Sequence, residues 1–266
     1  GIRGRVVVSA SPMEEVLEGV ALAKVMRDFP PDFVIIGEAT NLTLARGGRG
    51  RAELHLETTG IPTHSSAPQG GRNAVLDMMH VVAGMEEVDL PQSPLMGPAI
   101  LALTEISSIP FPSNSVIPSI CRVTYDRRLL PGETAEEVLA PIKEIGQARA
   151  VSLKAVIGVG EYTTFTGRIL RQEKFFPAWL YEEDEWLVVR ALEGLARAGL
   201  PPESGAYRFC TNAAYSAGVA GIPTVGFGPG RETDAHVVDE RLALDDLEAA
   251  ARGYMSMIRA LLGTEE

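Results

Sequence analysis

The chain has 266 residues, of which 45% are hydrophobic and 22% are charged, and its 35 acidic and 24 basic residues give a formal net charge of -11. This acidic surplus argues against a nucleic-acid partner and against an anionic membrane surface, since both need a basic face. No stretch approaches the roughly 18 consecutive apolar residues of a membrane span, and the two cysteines, Cys121 and Cys210, predict neither a disulfide framework nor a thiolate zinc site.

The first 47 residues have the pattern of an α/β protein. Residues 5–10 predict a strand, residues 14–28 a helix, and the apolar run 32–38 a strand buried on both faces. Together they predict one β-α-β unit with a right-handed crossover. The chain has no initiator Met and enters an apolar run almost at once. We interpret it as a chain whose earlier part is absent, so the lack of a targeting signal says little about its location in the cell.

After residue 47 the apolar pattern changes from continuous runs to alternation. Strands are predicted at 51–60, 99–108, 119–128 and 150–158. Helices are predicted at 73–87 and after the capping box of Thr134 and Glu137. This β-α-β-β-α-β order is the split, ferredoxin-like arrangement. The sequence therefore predicts a small inserted domain over residues 48–160.

The α/β pattern returns in the last third of the chain. Helices are predicted at 184–198 and 245–262, and a short buried strand within 221–228. We expect residues 1–47 and 161–266 to share one sheet and to form a single α/β domain, interrupted by the insertion.

Polar residues follow the predicted strands of this α/β domain. Glu14 and Glu15 follow the first strand, Glu38 ends the second, and His236 comes after the strand within 221–228. Ligands of α/β sheets bind beyond the carboxyl ends of the strands, and zinc accepts this mixture of oxygen and nitrogen donors. One glutamate of the adjacent pair can bind a metal while the other acts as a general base. The alternatives are a helix start for the pair, a neighbour of a helix N-cap or a loop charge for Glu38, and a surface-loop histidine for His236.

Three residues of the inserted domain are candidates for substrate contacts. His64 follows the first inserted strand and can donate to an oxyanion, or can serve as a cap or surface residue. Asn114 lies in a Pro-bounded segment and can be a simple turn residue. Arg128 shares a strand face with Asp126, so it either pairs with that carboxylate or clamps a substrate carboxylate. The glycine-rich "GFGPG" at 226–230 leaves a nucleotide site open as a rival, although a tight turn explains it as well.

An ordered set of motifs carries a family resemblance that covers essentially the whole chain. In chain order these are "MEE", "GEAT", "THSSAP", "SNSVIP", "YDRRLLPGET", "GIPTVGFGPG" and "AHVVDE". The set resembles the dinuclear zinc aminoacylase and carboxypeptidase family, which includes acetylornithine deacetylase, succinyl-diaminopimelate desuccinylase, aminoacylase and carboxypeptidase G. "FFPAW" and "GFGPG" are most similar to its selenium-metabolism hydrolase branch. The resemblance implies a zinc-exopeptidase-like catalytic domain, here partial, with an inserted lid and dimerisation domain.

The resemblance implies a role for each residue of the α/β domain that matches a motif. Glu14 resembles the general base of the family. Glu15 and His236 resemble ligands of the second metal, and Glu38 a ligand of the first.

The resemblance also implies roles for the candidates in the inserted domain. His64 resembles the lid histidine that reaches the partner subunit's site across a dimer, while Asn114 and Arg128 resemble lid residues that hold the tetrahedral intermediate and the substrate carboxylate.

The chain departs from the family pattern in its metal ligands. The family has two zinc ions in each complete site, with cobalt or manganese as alternatives. Its H-x-D motif and bridging aspartate precede the glutamate pair, and no H-x-D occurs here. The metals are therefore short of ligands, and they can be absent from this chain. A smaller departure is Asn212, where relatives tend to have an acidic residue.

We predict a cytoplasmic, zinc-dependent amidohydrolase that acts on a small N-acyl amino acid or dipeptide and forms a homodimer through its lid domain. The alternative is a dimerising or binding protein that keeps the fold without a working metal site.

Overall fold

A computed structural model describes residues 2–263, and the chain divides into two compact units. The first unit spans the described residues of Gly1–Gly50, Pro94–Gly97 and Phe176–Glu266, and the second spans Arg51–Ser93 and Pro98–Phe175. No helix within residues 2–263 is both long and apolar enough to cross a membrane.

The helices and strands have the following bounds. The helices are α1 (Val20–Asp28), α2 (Ala74–Met85), α3 (Ala135–Ala148), α4 (Trp186–Arg197) and α5 (Leu244–Leu262). The strands are β1 (Val34–Ile36), β2 (Leu44–Gly48), β3 (Gly50–Thr59), β4 (Gln92–Ser93), β5 (Gly97–Pro98), β6 (Ile100–Ile109), β7 (Ile120–Leu129), β8 (Leu153–Ile157), β9 (Val159–Thr163), β10 (Ile169–Glu173), β11 (Phe175–Phe176), β12 (Trp179–Leu180), β13 (Ser204–Tyr207) and β14 (Thr224–Gly226). A π-helical turn covers Ala214–Val219, and short 3₁₀ turns cover Pro68–Gly70 and Glu232–Asp234.

The sheet of the first unit has the order β1-β14-β2-β12, with β13 beside β2. Strands β1 and β14 run parallel, with Ile36 opposite Gly226, whereas β2 runs antiparallel to β14. The carboxyl ends of β1 and β14 therefore lie at the same edge of the sheet, where ligands of α/β sheets bind.

A buried apolar core holds this edge in place. It includes Val188 and Leu195 of α4, Met257 of α5 and Phe227, the residue after β14. Helices α4 and α5 approach closely at Gly194, where an added Cβ would lie 2.7 Å from the Cα of Met257. Truncating a fully buried leucine such as Leu195 to alanine costs about 2–5 kcal/mol. The core thus fixes the chain immediately beyond β14.

The second unit has the predicted β-α-β-β-α-β order, in the elements β3, α2, β6, β7, α3 and β8. Its sheet runs β3-β7-β6, with β8 beside β3. On β7, Cys121, Val123 and Tyr125 are buried while Arg122 is exposed, so the predicted alternation of faces is confirmed. The capping box of Thr134 and Glu137 is also present at the start of α3.

Two predictions at the start of the chain are wrong. Residues 5–10 form no strand and have no place in the described sheet, and Val8 is 92% exposed. The first helix begins at Val20, because Gly19 has a left-handed backbone (φ 78°) that does not continue a helix. Glu14 and Glu15 therefore lie in an irregular turn, and the predicted β-α-β unit lacks its first strand among residues 2–263.

The second unit extends past the predicted boundary at residue 160. Strands β9 and β10 form an antiparallel hairpin, and its base is joined to β3 on both sides. The Gly158 N–H donates to the Glu53 carbonyl at 2.7 Å, and the Glu53 N–H donates to the Lys174 carbonyl at 3.0 Å. Residues 161–175, which the sequence assigned to the α/β domain, therefore belong to the second unit.

Candidate functional site

The loops that follow β1 and β14 interlock at the edge of the first unit's sheet. Glu38 lies two residues beyond β1. The Thr40 hydroxyl donates to the Gly228 carbonyl at 3.1 Å and accepts the Gly228 N–H at 3.1 Å. The Asn41 N–H donates to the Gly230 carbonyl at 2.7 Å. The residues just after Glu38 are thus hydrogen-bonded to the "GFGPG" segment.

A glycine is required where the two loops meet. An added Cβ at Gly228 would lie 2.3 Å from the carbonyl oxygen of Glu38, a separation that real Cβ atoms do not adopt. The "GFGPG" segment therefore has a packing role against the backbone of Glu38. The helix that a phosphate-binding loop needs does not begin behind it, since only the 3₁₀ turn Glu232–Asp234 follows.

Glu15 and His236 come together at this edge although 221 positions separate them in the chain. The Glu15 Oε1 lies 3.3 Å from the His236 Nε2, and the two side chains are 70% and 75% exposed. The backbone of His236 is left-handed (φ 58°), and its N–H donates to the Glu240 carboxylate at 2.8 Å. An exposed ion pair of this kind contributes little to stability. The approach of Glu15 to His236 is therefore better explained by a role in binding a ligand.

Glu38 is electrostatically coupled to both members of this pair. Burial raises the pKa of Glu38, the negative charge of Glu15 raises it further, and His236 acts in the opposite direction. Burial next to the same carboxylate also raises the pKa of Tyr254 to about 12. A divalent cation at this position would offset the repulsion between the two carboxylates.

Adjacent glutamates have different surroundings. Glu15 is exposed, whereas Glu14 is partly buried and one of its carboxylate oxygens is shielded from water. Two carboxylates in different environments can take different chemical roles. This matches the predicted division between a general base and a metal ligand, which remains a prediction.

The donor chemistry fits a divalent ion, although the arrangement is incomplete. Glu15 and His236 offer an oxygen and a nitrogen side by side, and Glu38 is the adjoining carboxylate. Such a set suits zinc and neighbouring transition metals. Within residues 2–263, no group of three His, Cys, Asp or Glu side chains is arranged to hold a metal ion.

The second unit brings two of its predicted site residues into neighbouring segments. His64 forms an isolated antiparallel bridge with Val116, and the Ser65 N–H donates to the Ser115 carbonyl at 2.9 Å. Asn114 precedes this segment directly, and both His64 and Asn114 are exposed. The Nδ1 of His64 lies 2.7 Å from the Ser66 hydroxyl.

Arg128 has the structural partner that the sequence allowed. Its Nε donates to the Asp126 carboxylate at 2.7 Å, and Arg51 donates to the same carboxylate at 3.2 Å. The guanidinium is thereby oriented at the end of β7, while its contact with a substrate remains a prediction.

Sequence reasoning missed the structural roles of several residues that shape this edge, including Asn212, which the sequence marked only as a departure from the family pattern. Asn212 accepts the Gly19 N–H on its side-chain oxygen at 2.7 Å, so it holds the end of the glutamate turn. The hydroxyl of Tyr254 donates to the Phe227 carbonyl, and the Tyr207 hydroxyl donates to the Ile36 carbonyl at 3.4 Å. Only Thr40 lies within a quoted motif, "GEAT", where it could have been noticed.

Residues 46–153 match the family model described as the peptidase dimerisation domain of the M20 peptidases. The chain carries an M20 dimerisation domain. This domain covers most of the second unit and includes the segments of His64, Asn114 and Arg128.

Curated relatives extend the similarity beyond the M20 dimerisation domain. The uncharacterized protein YgeY of Escherichia coli K12 is 32% identical over 97% of this chain and 65% of its own length. An acetylornithine deacetylase of Buchnera aphidicola is 26% identical over 80% of this chain and 52% of its own length. The chain thus spans less than two thirds of the relatives that it matches.

Solved structures show the same fold around the M20 dimerisation domain. The aminopeptidase PepT of Bacillus cereus matches with a TM-score of 0.71 at 16% identity, over 94% of this chain and 63% of that protein. An M20 family metallo-carboxypeptidase of Sulfolobus solfataricus matches with a TM-score of 0.62 at 14% identity, over 94% of this chain and 68% of that protein. The predicted fold class and the resemblance to the aminoacylase and carboxypeptidase family are confirmed.

Proposed function

We propose that the protein containing this chain is a metal-dependent hydrolase of the amide bond in a small N-acyl amino acid or peptide. The observation that carries the proposal is the convergence of Glu15 and His236 beside Glu38 at the carboxyl edge of two parallel strands. The M20 dimerisation domain and the names of the curated relatives support it.

The proposed mechanism gives each glutamate of the adjacent pair one task. Glu15 and His236 would hold a zinc ion, with Glu38 as the adjoining carboxylate. When bound, such an ion lowers the pKa of a water molecule and polarises the amide carbonyl. Glu14 would accept the proton of the attacking water and deliver it to the leaving amine, because its partly shielded carboxylate is the one not assigned to the metal.

The second unit would supply contacts to the substrate. Because the Nδ1 of His64 is directed to Ser66, we assign its Nε2 to the oxyanion. The Asn114 amide would donate to the same oxyanion. Arg128, oriented by Asp126, would bind the substrate carboxylate.

We also propose a homodimer through the second unit. Strand β6 lies at one end of that unit's sheet and pairs with β7. It exposes Ile100, Leu103 and Ile106 by 42%, 41% and 58%. An exposed apolar edge strand is a surface that another chain can extend, and the M20 dimerisation domain supports a second copy as that chain.

We place the protein in the cytoplasm. Both cysteines are buried thiols, which suits a reducing compartment. The acidic composition agrees with this location without requiring it.

The test of the hydrolase proposal is a kinetic comparison in the full-length protein. With zinc added, Glu14→Gln should lower kcat for N-acyl amino acids by at least about 100-fold, the usual scale of a lost general base, while metal content stays unchanged. Asp28→Asn, an exposed change on α1, is the control and should keep normal turnover. Near-normal turnover of Glu14→Gln would refute the mechanism. No zinc-dependent hydrolysis in the native protein would instead favour the non-catalytic dimerising protein.

A further inference from the structure

A cavity of about 340 Å³ lies within the first unit and is lined by chain neighbours of Glu38 and His236. Two loops and strand β13 line it. One loop is 39–43, which starts at the residue after Glu38, and the other is 231–233, which shortly precedes His236. Each lining loop thus leads directly to a residue of the proposed metal site.

One wall of this cavity has an unusual backbone. Asn41 and Leu42 are consecutive residues with left-handed conformations (φ 54° and 63°). Asparagine tolerates this region, but leucine does so at a cost. The segment is held by the Leu42 N–H, which donates to the Gly228 carbonyl at 3.1 Å, and by the Asn41 N–H on Gly230. Strained residues fixed in this way are typical of binding sites.

The lining of the cavity is polar and rich in hydrogen-bond donors. The hydroxyls of Thr40 and Thr43 already donate to the backbone carbonyls of Gly228 and Thr40, respectively. Three other lining side chains can donate to a ligand: the guanidinium of Arg231, the amide of Asn41 and the hydroxyl of Thr233. Glu232 is the lining carboxylate and can only accept when ionised.

We propose that this cavity binds the side chain of the substrate and that Arg231 selects a side chain ending in a carboxylate. A guanidinium binds a carboxylate through two parallel hydrogen bonds and gives up its hydration more readily than an ammonium group. The negative charge of Glu232 repels the carboxylate of the substrate side chain and weakens its binding. This inference rests on the proposed function, because the cavity is lined by Ala39, the neighbour of Glu38, so an N-acyl amino acid held at Glu38 and His236 would have room there for its side chain.

The test compares two probes that differ only in the charge of the side chain. N-acetyl-glutamate and N-acetyl-glutamine share the acetamide, the α-carboxylate and nearly the same shape. Calorimetric titration of the protein should give about tenfold tighter binding of N-acetyl-glutamate, the scale of one charge-assisted contact. Arg231→Gln should make the two affinities equal, whereas Arg231→Lys should retain part of the preference. Glu232→Gln should tighten N-acetyl-glutamate binding.

Arg252→Gln is the matched control, because Arg252 is exposed on α5 and does not line the cavity. It should leave the preference unchanged. Three results would overturn the inference: absent or equal binding of the two probes by the native protein, tighter binding of N-acetyl-lysine than of both, or equal weakening of both probes by Arg231→Gln. The last result would place Arg231 on the α-carboxylate.

The same probes separate this inference from the proposed function. Selective binding of N-acetyl-glutamate without zinc-dependent hydrolysis would refute the proposed hydrolase activity and support a cavity that binds an acidic side chain. Zinc-dependent hydrolysis without a preference for N-acetyl-glutamate would support the hydrolase activity and refute the proposed role of the cavity.

Discussion

Thr40 and Gly228 are joined by two hydrogen bonds through a single hydroxyl group, which donates to the glycine carbonyl and accepts the glycine N–H, each at 3.1 Å. The two residues are 188 positions apart and follow two parallel strands. This pair therefore fixes the loop of Glu38 against the loop that leads to His236.

Removing the Thr40 hydroxyl should loosen this connection. Thr40→Val keeps the shape and removes the oxygen that accepts the partly buried Gly228 N–H, which costs about 1–3 kcal/mol, while the Gly228 carbonyl still accepts the Leu42 N–H. Urea unfolding should show this loss, and Thr40→Ser should recover most of it. Thr43→Val is the control, since the Thr43 hydroxyl bonds only within its own loop in the described contacts. Equal stability of Thr40→Val and the native protein would show that the connection contributes nothing.

Adding a methyl group at Gly228 should be more harmful than adding one at Gly205 of the same unit. Gly228→Ala places a Cβ 2.3 Å from the Glu38 carbonyl oxygen, so the two loops must separate. We expect a loss of about 1–3 kcal/mol, as for overpacking in a core, together with weaker zinc binding in titration. Gly205→Ala is the matched control, because nothing lies within 4 Å of its added Cβ. If the two variants melt at the same temperature, the close approach is not a constraint.

Glu53 and Glu38 should affect stability with opposite pH dependence. Burial raises the pKa of Glu53, but hydrogen bonds from Lys174 and His55 outweigh it and leave the pKa lowered. Its ionised form therefore stabilises the fold above pH 4.5, the ordinary pKa value, and this contribution is lost as the pH falls through the lowered pKa. Burial and Glu15 raise the pKa of Glu38, so its ionisation opposes folding as the pH rises past 4.5.

Urea unfolding of metal-free protein between pH 3 and pH 7 tests this contrast. Relative to the native protein, Glu53→Gln should become less stable as the pH rises, whereas Glu38→Gln should become more stable. Parallel pH profiles for the two variants would contradict the assigned environments.

A charge on the edge strand should break the proposed dimer. Ile106→Lys places an ammonium group on β6, where an exposed lysine discourages strand pairing. Sedimentation should show monomers with an unchanged circular dichroism spectrum. Leu76→Lys on α2, also exposed, is the control and should stay dimeric. A dimeric Ile106→Lys would move the interface away from β6.

The sequence by itself determined the elements whose signals are local. The alternation of β7 between buried Cys121 and exposed Arg122, and the capping box of Thr134 and Glu137, could be recognised because strand period and cap chemistry act over a few residues. The ordered motifs likewise determined the family resemblance, and with it the inserted dimerisation domain that the family model matches.

The tertiary structure alone decided how the site is held together. The first helix begins at Val20 and not at the predicted residue 14, because the left-handed Gly19 is held by a hydrogen bond to the distant Asn212. The tertiary structure also brought Glu15 to His236 and Thr40 to Gly228. These contacts join residues about 190 to 220 positions apart, and no local pattern records them, because the pairing of parallel strands and the packing of their helices bring such residues together.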